Sequence, residues 1–356
     1  MKRIAGLLIL ASFVWSGFVE AATPSEQTFS DSHFHLTNYI QEGIKVGKLL
    51  DLMGDRVERS TLFGIPLQQE WSQRISGRAA PTYYLDTDAP LYYYSFTDAV
   101  IAQAYLSLPP KERDRLDPMI TGFNPADMYA ADHIRRVLEL YPGVFSGIGE
   151  FTIHKEFVSS KIAGTVPSLT DPALDRILDF AGEVGFLVLL HNDIQTPFPK
   201  DEEHSVYFDQ IIELFKRHPK SKIVWAHIGL GRVVRPLKNQ AALVERILSD
   251  SRLSHVSFDI SWDELAKYLN ATPETVGRVA GIINKYPKRF LFGSDVVAPK
   301  DSAAYFKTFD LYEPLWKKLT PEASELVRKG NYARLFDEAR AKVRAWEKSH
   351  SPKGER

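Results

Sequence analysis

Eight short apolar runs, helix signals between them and metal-capable residues at the ends of several runs predict an α/β fold, a TIM (β/α)8 barrel, for this 356-residue chain. The runs lie at roughly 29–36, 57–65, 118–123, 144–151, 186–191, 222–227, 256–260 and 290–296. From the third onward they start about 25 to 45 residues apart, room for a strand, a helix and two loops. Length alone admits one barrel-sized domain or two smaller ones. The regular alternation of run and helix favours a parallel sheet in one barrel.

The chain opens with Met1-Lys2-Arg3, an apolar stretch from Ile4 to Val19, and Ala21-Ala22. A basic, then apolar, then small-residue order is that of a secretory signal peptide, here residues 1–22, removed near Ala21 or Ala22. An uncleaved membrane anchor and a buried helix are the alternatives. Cleavage would leave a barrel at 23–348 and a polar tail at 349–356, in the periplasm or outside the cell. The chain has no Cys, so its fold must hold through its core and a metal site cannot use thiolates. With 44 basic and 45 acidic residues and no long run of one sign, neither nucleic acid nor a stable membrane association is expected. The expected partner is a small-molecule substrate, and a homo-oligomer is compatible with the composition.

In order, the first run carries Asp31-Ser32-His33-Phe34-His35-Leu36. Successive strand side chains alternate in face, so His33 and His35 share one face while Phe34 and Leu36 pack on the other. Two imidazoles so placed can meet one ion, or they can be a pair of hydrogen-bonded strand histidines. Between the second and third runs an insert at about 66–95 concentrates aromatics, including Trp71, Tyr83, Tyr84, Tyr92, Tyr93 and Tyr94, with Phe96 and Tyr105 beyond it. It can pack over the barrel rim, wall a pocket for a ring-bearing or apolar substrate, or make an oligomer contact. Helices are expected at 126–140, with Met128, Ile134, Val137 and Leu138 inward, and at 206–217. Asp171-Pro172, Thr272-Pro273 and Thr320-Pro321 each place a capping side chain before a first-turn proline. A C-terminal helix closes the chain.

Three later runs end in His191, His227 and Asp295, and the fourth contains Gly147-Ile148-Gly149-Glu150. In a parallel barrel the C-terminal strand ends gather at one mouth, where the chemistry of such folds sits. His33, His35, Glu150, His191, His227 and Asp295 are therefore the candidate metal ligands. The other histidines, His133, His154, His204, His218, His255 and His350, fall on helices, loops or element edges.

This order of residues resembles the amidohydrolase superfamily, within it the amidohydrolase-related branch also called amidohydrolase family 2. The resemblance runs from Ser30-Asp31-Ser32-His33-Phe34-His35 to Gly330-Asn331-Tyr332-Ala333-Arg334-Leu335-Phe336. It implies a divalent ion on His33, His35 and Asp295, with His191 joining them or a second ion and His227 binding metal or the substrate oxygen. Zinc is the expected ion, manganese and iron the others, with one or two per chain. Glu150 departs from members that bridge two ions with a carboxylated lysine; it resembles the metal-dependent deoxyribonuclease-like branch, which uses a Glu there. Lys155 stands too far along the loop for a bridging role. The implied activity is hydrolysis of an amide, ester, lactone or phosphoester by a metal-activated water, with Asp295 as base and His227 as catalytic partner; a decarboxylase or hydratase is the alternative.

After the sixth run, Gly229-Leu230-Gly231-Arg232-Val233-Val234-Arg235 presents two arginines that can clamp a substrate anion or anchor the loop. Asp259 can orient a ligand histidine from behind, and Trp262 can line the substrate pocket.

Overall fold

The strands are rich in Val, Ile, Leu and Phe and are buried on both faces, as a parallel sheet covered by helices requires. The computed structural model describes residues 27–38, 42–65, 70–71, 85–86, 96–155 and 167–350. Its strands are β1 (Phe29–Asp31), β2 (Phe34–Thr37), β3 (Val57–Gly64), β4 (Glu70–Trp71), β5 (Leu85–Asp86), β6 (Leu116–Ile120), β7 (Gly147–Thr152), β8 (Leu187–His191), β9 (Lys222–Trp225), β10 (Val256–Asp259), β11 (Phe290–Leu291) and β12 (Val296–Val297). The main sheet runs β11-β10-β9-β8-β7-β6-β3-β2-β12, with β1 also on β3. Each of these pairs is parallel.

β1 with β2 and β11 with β12 are two interrupted staves. Because β11 pairs with β10 and β12 with β2, the eighth stave closes on the first and the sheet is a TIM barrel. Backbone bonds from Asp295 N to the His33 carbonyl (2.7 Å) and from Ala298 N to that of His35 (2.9 Å) extend the seam. β4 and β5 pair apart from the barrel, within the insert. The rest of the insert, with Tyr83, Tyr84 and Tyr92 to Tyr94, lies outside the described residues, as do residues 1–22, expected to be a signal peptide, and residues 351–356. No helix among the described residues is long and apolar enough to cross a membrane.

Several boundaries differ from expectation, among them the starts at Gly147 and Phe208, and two have a visible cause. The third strand begins at Leu116, two residues before the apolar run suggested, because Asp117 pairs with Thr61 in register and its charge is neutralised inside the fold. The helix expected from residue 126 begins at Ala130, since the Asn124 and Asp127 side chains accept from Ala126 N and Tyr129 N and hold a turn there. Met128 is consequently 42% exposed and outside the core. The three Pro-led helices start as expected, with Asp171, Thr272 and Thr320 accepting from the backbone of Ala173, Thr275 and Ala323.

Strand alternation divides the apolar residues into two cores. Val188, Leu190, Ile223, Trp225, Phe34 and Phe290 face outward against the helices. Leu187, Leu189, Val224, Ala226, Phe63 and Leu291 face the barrel axis. The inner core also includes Tyr332, Leu335, Phe336 and Ala339 of the helix Asn331–His350. That helix thus packs against strands β1, β8 and β11, and leaves the C-terminal strand ends to a different use.

The closing sequence explains its own position. Asn331 donates to the Pro287 and Phe290 carbonyls at 2.7 and 2.8 Å, tying the helix to the start of the eighth stave. Fully buried Asp117 accepts from Tyr332 Oη (2.8 Å), Arg59 Nη2 (2.8 Å) and Arg340 Nη2 (2.7 Å). Asp117→Ala would leave the Arg340 guanidinium and the Tyr332 hydroxyl without their carboxylate and Arg59 with only the exposed Asp337, and is expected to destabilise the chain by about 3 kcal/mol. Urea unfolding checks it; a loss under about 1 kcal/mol would mean that the network is solvated rather than structural.

Candidate metal centre

The inward parity that buries Leu187 and Leu189 carries His191 into the barrel at the end of β8, and the parity opposite to Phe34 and Leu36 carries His33 and His35 there. His227 and Glu150 arrive differently. Continuing β9, His227 would share the outward face of Ile223 and Trp225. A left-handed turn at His227 and Ile228 (φ 52° and 55°) reverses this, so Ile228 joins the outer core. In β7 the pairing with β8 shifts between Ile148 and Phe151, both of which lie in the outer core, and Glu150 between them enters the barrel.

Glycine makes both close approaches possible. Gly149 has φ +112°, and a Cβ there would lie 2.1 Å from the Leu189 carbonyl. A Cβ on Gly293 would lie 2.7 Å from the His33 backbone nitrogen. His227, Trp262 and Asp295 are non-glycine residues at φ 52°, 86° and 51°, a concentration of left-handed backbone around one site.

The six candidate ligands meet in one buried cluster. The two oxygens of Glu150 face different histidines. Oε2 is 3.7 Å from the Nε2 atoms of both His33 and His35, while Oε1 is 2.5 Å from His191 Nδ1 and 3.7 Å from His227 Nε2. Asp295 Oδ1 lies 3.2 Å from His33 Nε2 and 3.1 Å from His35 Nε2, and Oδ2 lies 3.7 Å from His227 Nε2.

Each of three histidines is held from behind. His33 Nδ1 donates to Asp259 Oδ2 at 2.7 Å, as the sequence suggested for Asp259. The Ser261 hydroxyl donates to the same oxygen at 2.7 Å and lies 3.0 Å from His227 Nδ1. Asp193 Oδ1 is 3.0 Å from His191 Nε2. A donating outer nitrogen leaves the inner nitrogen as a lone pair. Buried Nε2 of His33 and of His227 have no hydrogen-bond partner, although carboxylate oxygens stand 3.2 to 3.7 Å away. Convergent nitrogen and oxygen donors, two of whose ring nitrogens are buried without a hydrogen-bond partner, fit a divalent cation of the zinc, manganese or iron type.

The charges agree with that use for the carboxylates and His227, whereas against burial Asp295, Asp259 and Glu150 raise His33, and Glu150 and Asp193 raise His191, toward the protonated ring that a bound cation would have to displace. Burial alone would raise Glu150 and Asp295, but Lys155 and His191 around the first and His33 and His35 around the second outweigh it, holding both carboxyls below their usual range. Burial, only partly offset by Glu150 and Asp295, lowers His227 and favours the neutral ring.

Other expected residues divide. Trp262 sits against His227, ring centroids 4.9 Å apart. Arg232 lies 5.5 Å from the Trp262 ring and 3.5 Å from Glu264 Oε1. Arg235 lines a separate cavity instead. Lys155, discounted for its distance along the loop, is buried with Nζ 3.4 Å from Glu150 Oε1 and 5.8 Å from the Trp262 ring. The loop after β7 folds back, which sequence separation alone does not reveal. Asp193 and Ser261 carry no motif of their own in the sequence; both stand two residues beyond a strand-end residue, His191 and Asp259. Asp31, which opens the motif around His33 and His35, accepts from Ser294 N (2.7 Å), Ser294 Oγ (2.6 Å) and Tyr305 Oη (3.1 Å), locking the first stave to the residue before Asp295. None of the six remaining histidines joins the described cluster.

Comparison with known proteins places this arrangement in context. The family model described as amidohydrolase matches residues 151–337, just over half of the chain, including His191, His227 and Asp295. Among solved structures, an amidohydrolase from Burkholderia multivorans with bound zinc is similar at TM-score 0.53 and 14% identity, covering 87% of this chain and 99% of that one. A probable 2-pyrone-4,6-dicarboxylic acid hydrolase from Acinetobacter baumannii, with citric acid bound, is similar at TM-score 0.52 and 12% identity, covering 87% and 100%. A 2,6-dihydroxybenzoate decarboxylase from Rhizobium is similar at TM-score 0.53 and 14% identity, covering 87% and 99%. At such identities the likeness is one of fold. No curated protein matches the sequence.

Proposed function

The chain belongs to the amidohydrolase family, and on that premise we propose that it is a metal-dependent hydrolase acting on an amide, ester, lactone or phosphoester of a small molecule. The observation that carries the reading is Glu150, whose two oxygens face two different pairs of histidines. His33, His35, Asp295 and Glu150 would hold one divalent ion, and Glu150, His191 and His227 would hold a second. A bound divalent ion, zinc in this proposal, supplies Lewis acidity and brings a water toward ionisation near neutral pH.

The chain's own residues do the rest. Asp295 places Oδ1 against His33 and His35 and takes the proton of the attacking water on Oδ2, then returns it to the leaving group. His227 Nε2, set by Ser261 behind it, completes the donor set or holds the developing negative charge on the substrate oxygen. Trp262 walls the site beside His227, and Arg232 and Lys155 near its ring hold an anionic part of the substrate. Those cations also favour a second reading, a decarboxylase or hydratase acting on an acid, which can use the same first ligands.

The test is metal analysis of the purified chain offered zinc, manganese or iron, followed by screening esters, lactones and phosphoesters for hydrolysis and carboxylic acids for released carbon dioxide. At least one ion per chain is expected, lost in His33→Ala with the fold retained, together with hydrolytic turnover. No stoichiometric ion would overturn the proposal; carbon dioxide release without hydrolysis would replace it with the lyase. We also propose export, with residues 1–22 removed. Intact mass of the chain from a periplasmic or culture fraction would show a mature start near Thr23, and a retained Met1 would refute it.

A further inference from the structure

The outer face of the barrel carries a second cavity, of about 450 Å³, between the helices Gln240–Ser249 and Pro273–Lys285. None of the six clustered metal-type residues lines it. Its volume falls within the range of small-molecule sites. Val244, Leu269, Ile283 and Phe290 give it apolar walls. Arg235 and Arg278 also line it, and neither makes an ion pair in the described structure. Lys238 also lines it but is paired with Glu203 at 2.9 Å, so the cations left over at the lining are the two arginines, against the carboxylate of Glu202. The Gln240 amide donates to the Ile228 carbonyl at 3.2 Å, while its own oxygen is buried without a partner.

From these features we propose that the cavity binds an amphipathic carboxylic acid, with the apolar body between the two helices and the carboxylate on Arg235 and Arg278. The charge balance decides the head group. An apolar body alone would need no cation, and a cationic head would face the like charges of Arg235 and Arg278. The apolar walls decide the rest of the ligand, since a small hydrophilic anion would leave them wet. The cavity also meets the segment after His227, whose Ile228 and Leu230 line it together with Gln240. Gln240 holds the carbonyl of Ile228, the residue that follows His227 in the left-handed turn. A ligand that engages Gln240 therefore bears on the segment that aims His227 into the barrel.

The probe is decanoate, titrated by calorimetry into the full-length chain after metal loading, and again into His33→Ala so that a carboxylate bound at the metal centre is recognised. Saturable binding of about one decanoate per chain that persists in His33→Ala is expected. It should weaken at least about tenfold in Arg235→Glu and in Arg278→Glu, both surface substitutions that leave the core alone. Decanol and decylamine should bind more weakly than decanoate by a similar factor. Binding lost in His33→Ala would assign the acid to the metal centre and overturn the proposal. So would binding indifferent to both arginine variants, or no saturation. An arginine variant that changes the chain from an oligomer to a monomer would show the cavity to be a contact between copies, which also overturns it. None of these outcomes bears on metal content, so the hydrolase reading stands or falls separately.

Discussion

Asp295→Asn is expected to lower turnover of the hydrolysed substrate by about 10²- to 10⁴-fold, the usual range for loss of a positioned proton acceptor. Asn has nearly the shape of Asp, and the backbone bond from residue 295 N to the His33 carbonyl (2.7 Å) does not depend on the side chain. The barrel seam should survive. What is lost is a negative charge that sits 3.1 and 3.2 Å from two histidine nitrogens and is kept ionised by them. The amide cannot take a proton from water, and its NH2 group would direct hydrogens at one of those positions. Activity must therefore be compared at equal metal occupancy, measured in the same preparations. A fall that tracks occupancy alone would make Asp295 only a ligand, and activity within tenfold of the parent at full occupancy would remove it as the base.

Much of this site is legible in the sequence because alternation on a strand is strict. His33 and His35 share a face opposite Phe34 and Leu36, and His191 continues the inward series of Leu187 and Leu189. The eight-run count also suffices for the barrel, since each run is a buried strand with its own helix. The same rule misleads for His227, which alternation would send outward; only the left-handed turn at 227 and 228 brings it in. Glu150 likewise depends on a register shift at Gly149. Those departures follow from three-dimensional crowding, such as the Leu189 carbonyl that forbids a side chain at 149. The groups behind the histidines are harder still to foresee. Asp193 and Ser261 are ordinary loop residues until the fold sets them beside a ring nitrogen, and Lys155 counts as distant until its loop turns back.

Glu150→Gln is expected to reduce the bound metal from two ions per chain to one, because it alone presents one oxygen to His33 and His35 and the other to His191 and His227. The amide keeps one oxygen, so one group retains a donor while the other gains an NH2 where an acceptor is needed. The substitution has a second consequence that must be separated from the first. It strips the carboxylate from buried Lys155, whose Nζ lies 3.4 Å from Glu150 Oε1, and leaves a cation beside the proposed metal ligands. A cation there repels metal by itself. The double variant Glu150→Gln/Lys155→Met removes that repulsion while keeping the bridge broken. If the double variant still binds one ion, the loss belongs to the bridge. If it recovers two, Lys155 repulsion explains the single variant and Glu150 is not required as a bridge. A parent chain with one ion, unchanged in Glu150→Gln, would end the two-ion proposal and shift the balance to the lyase, for which a single ion and a cation beside Trp262 are enough.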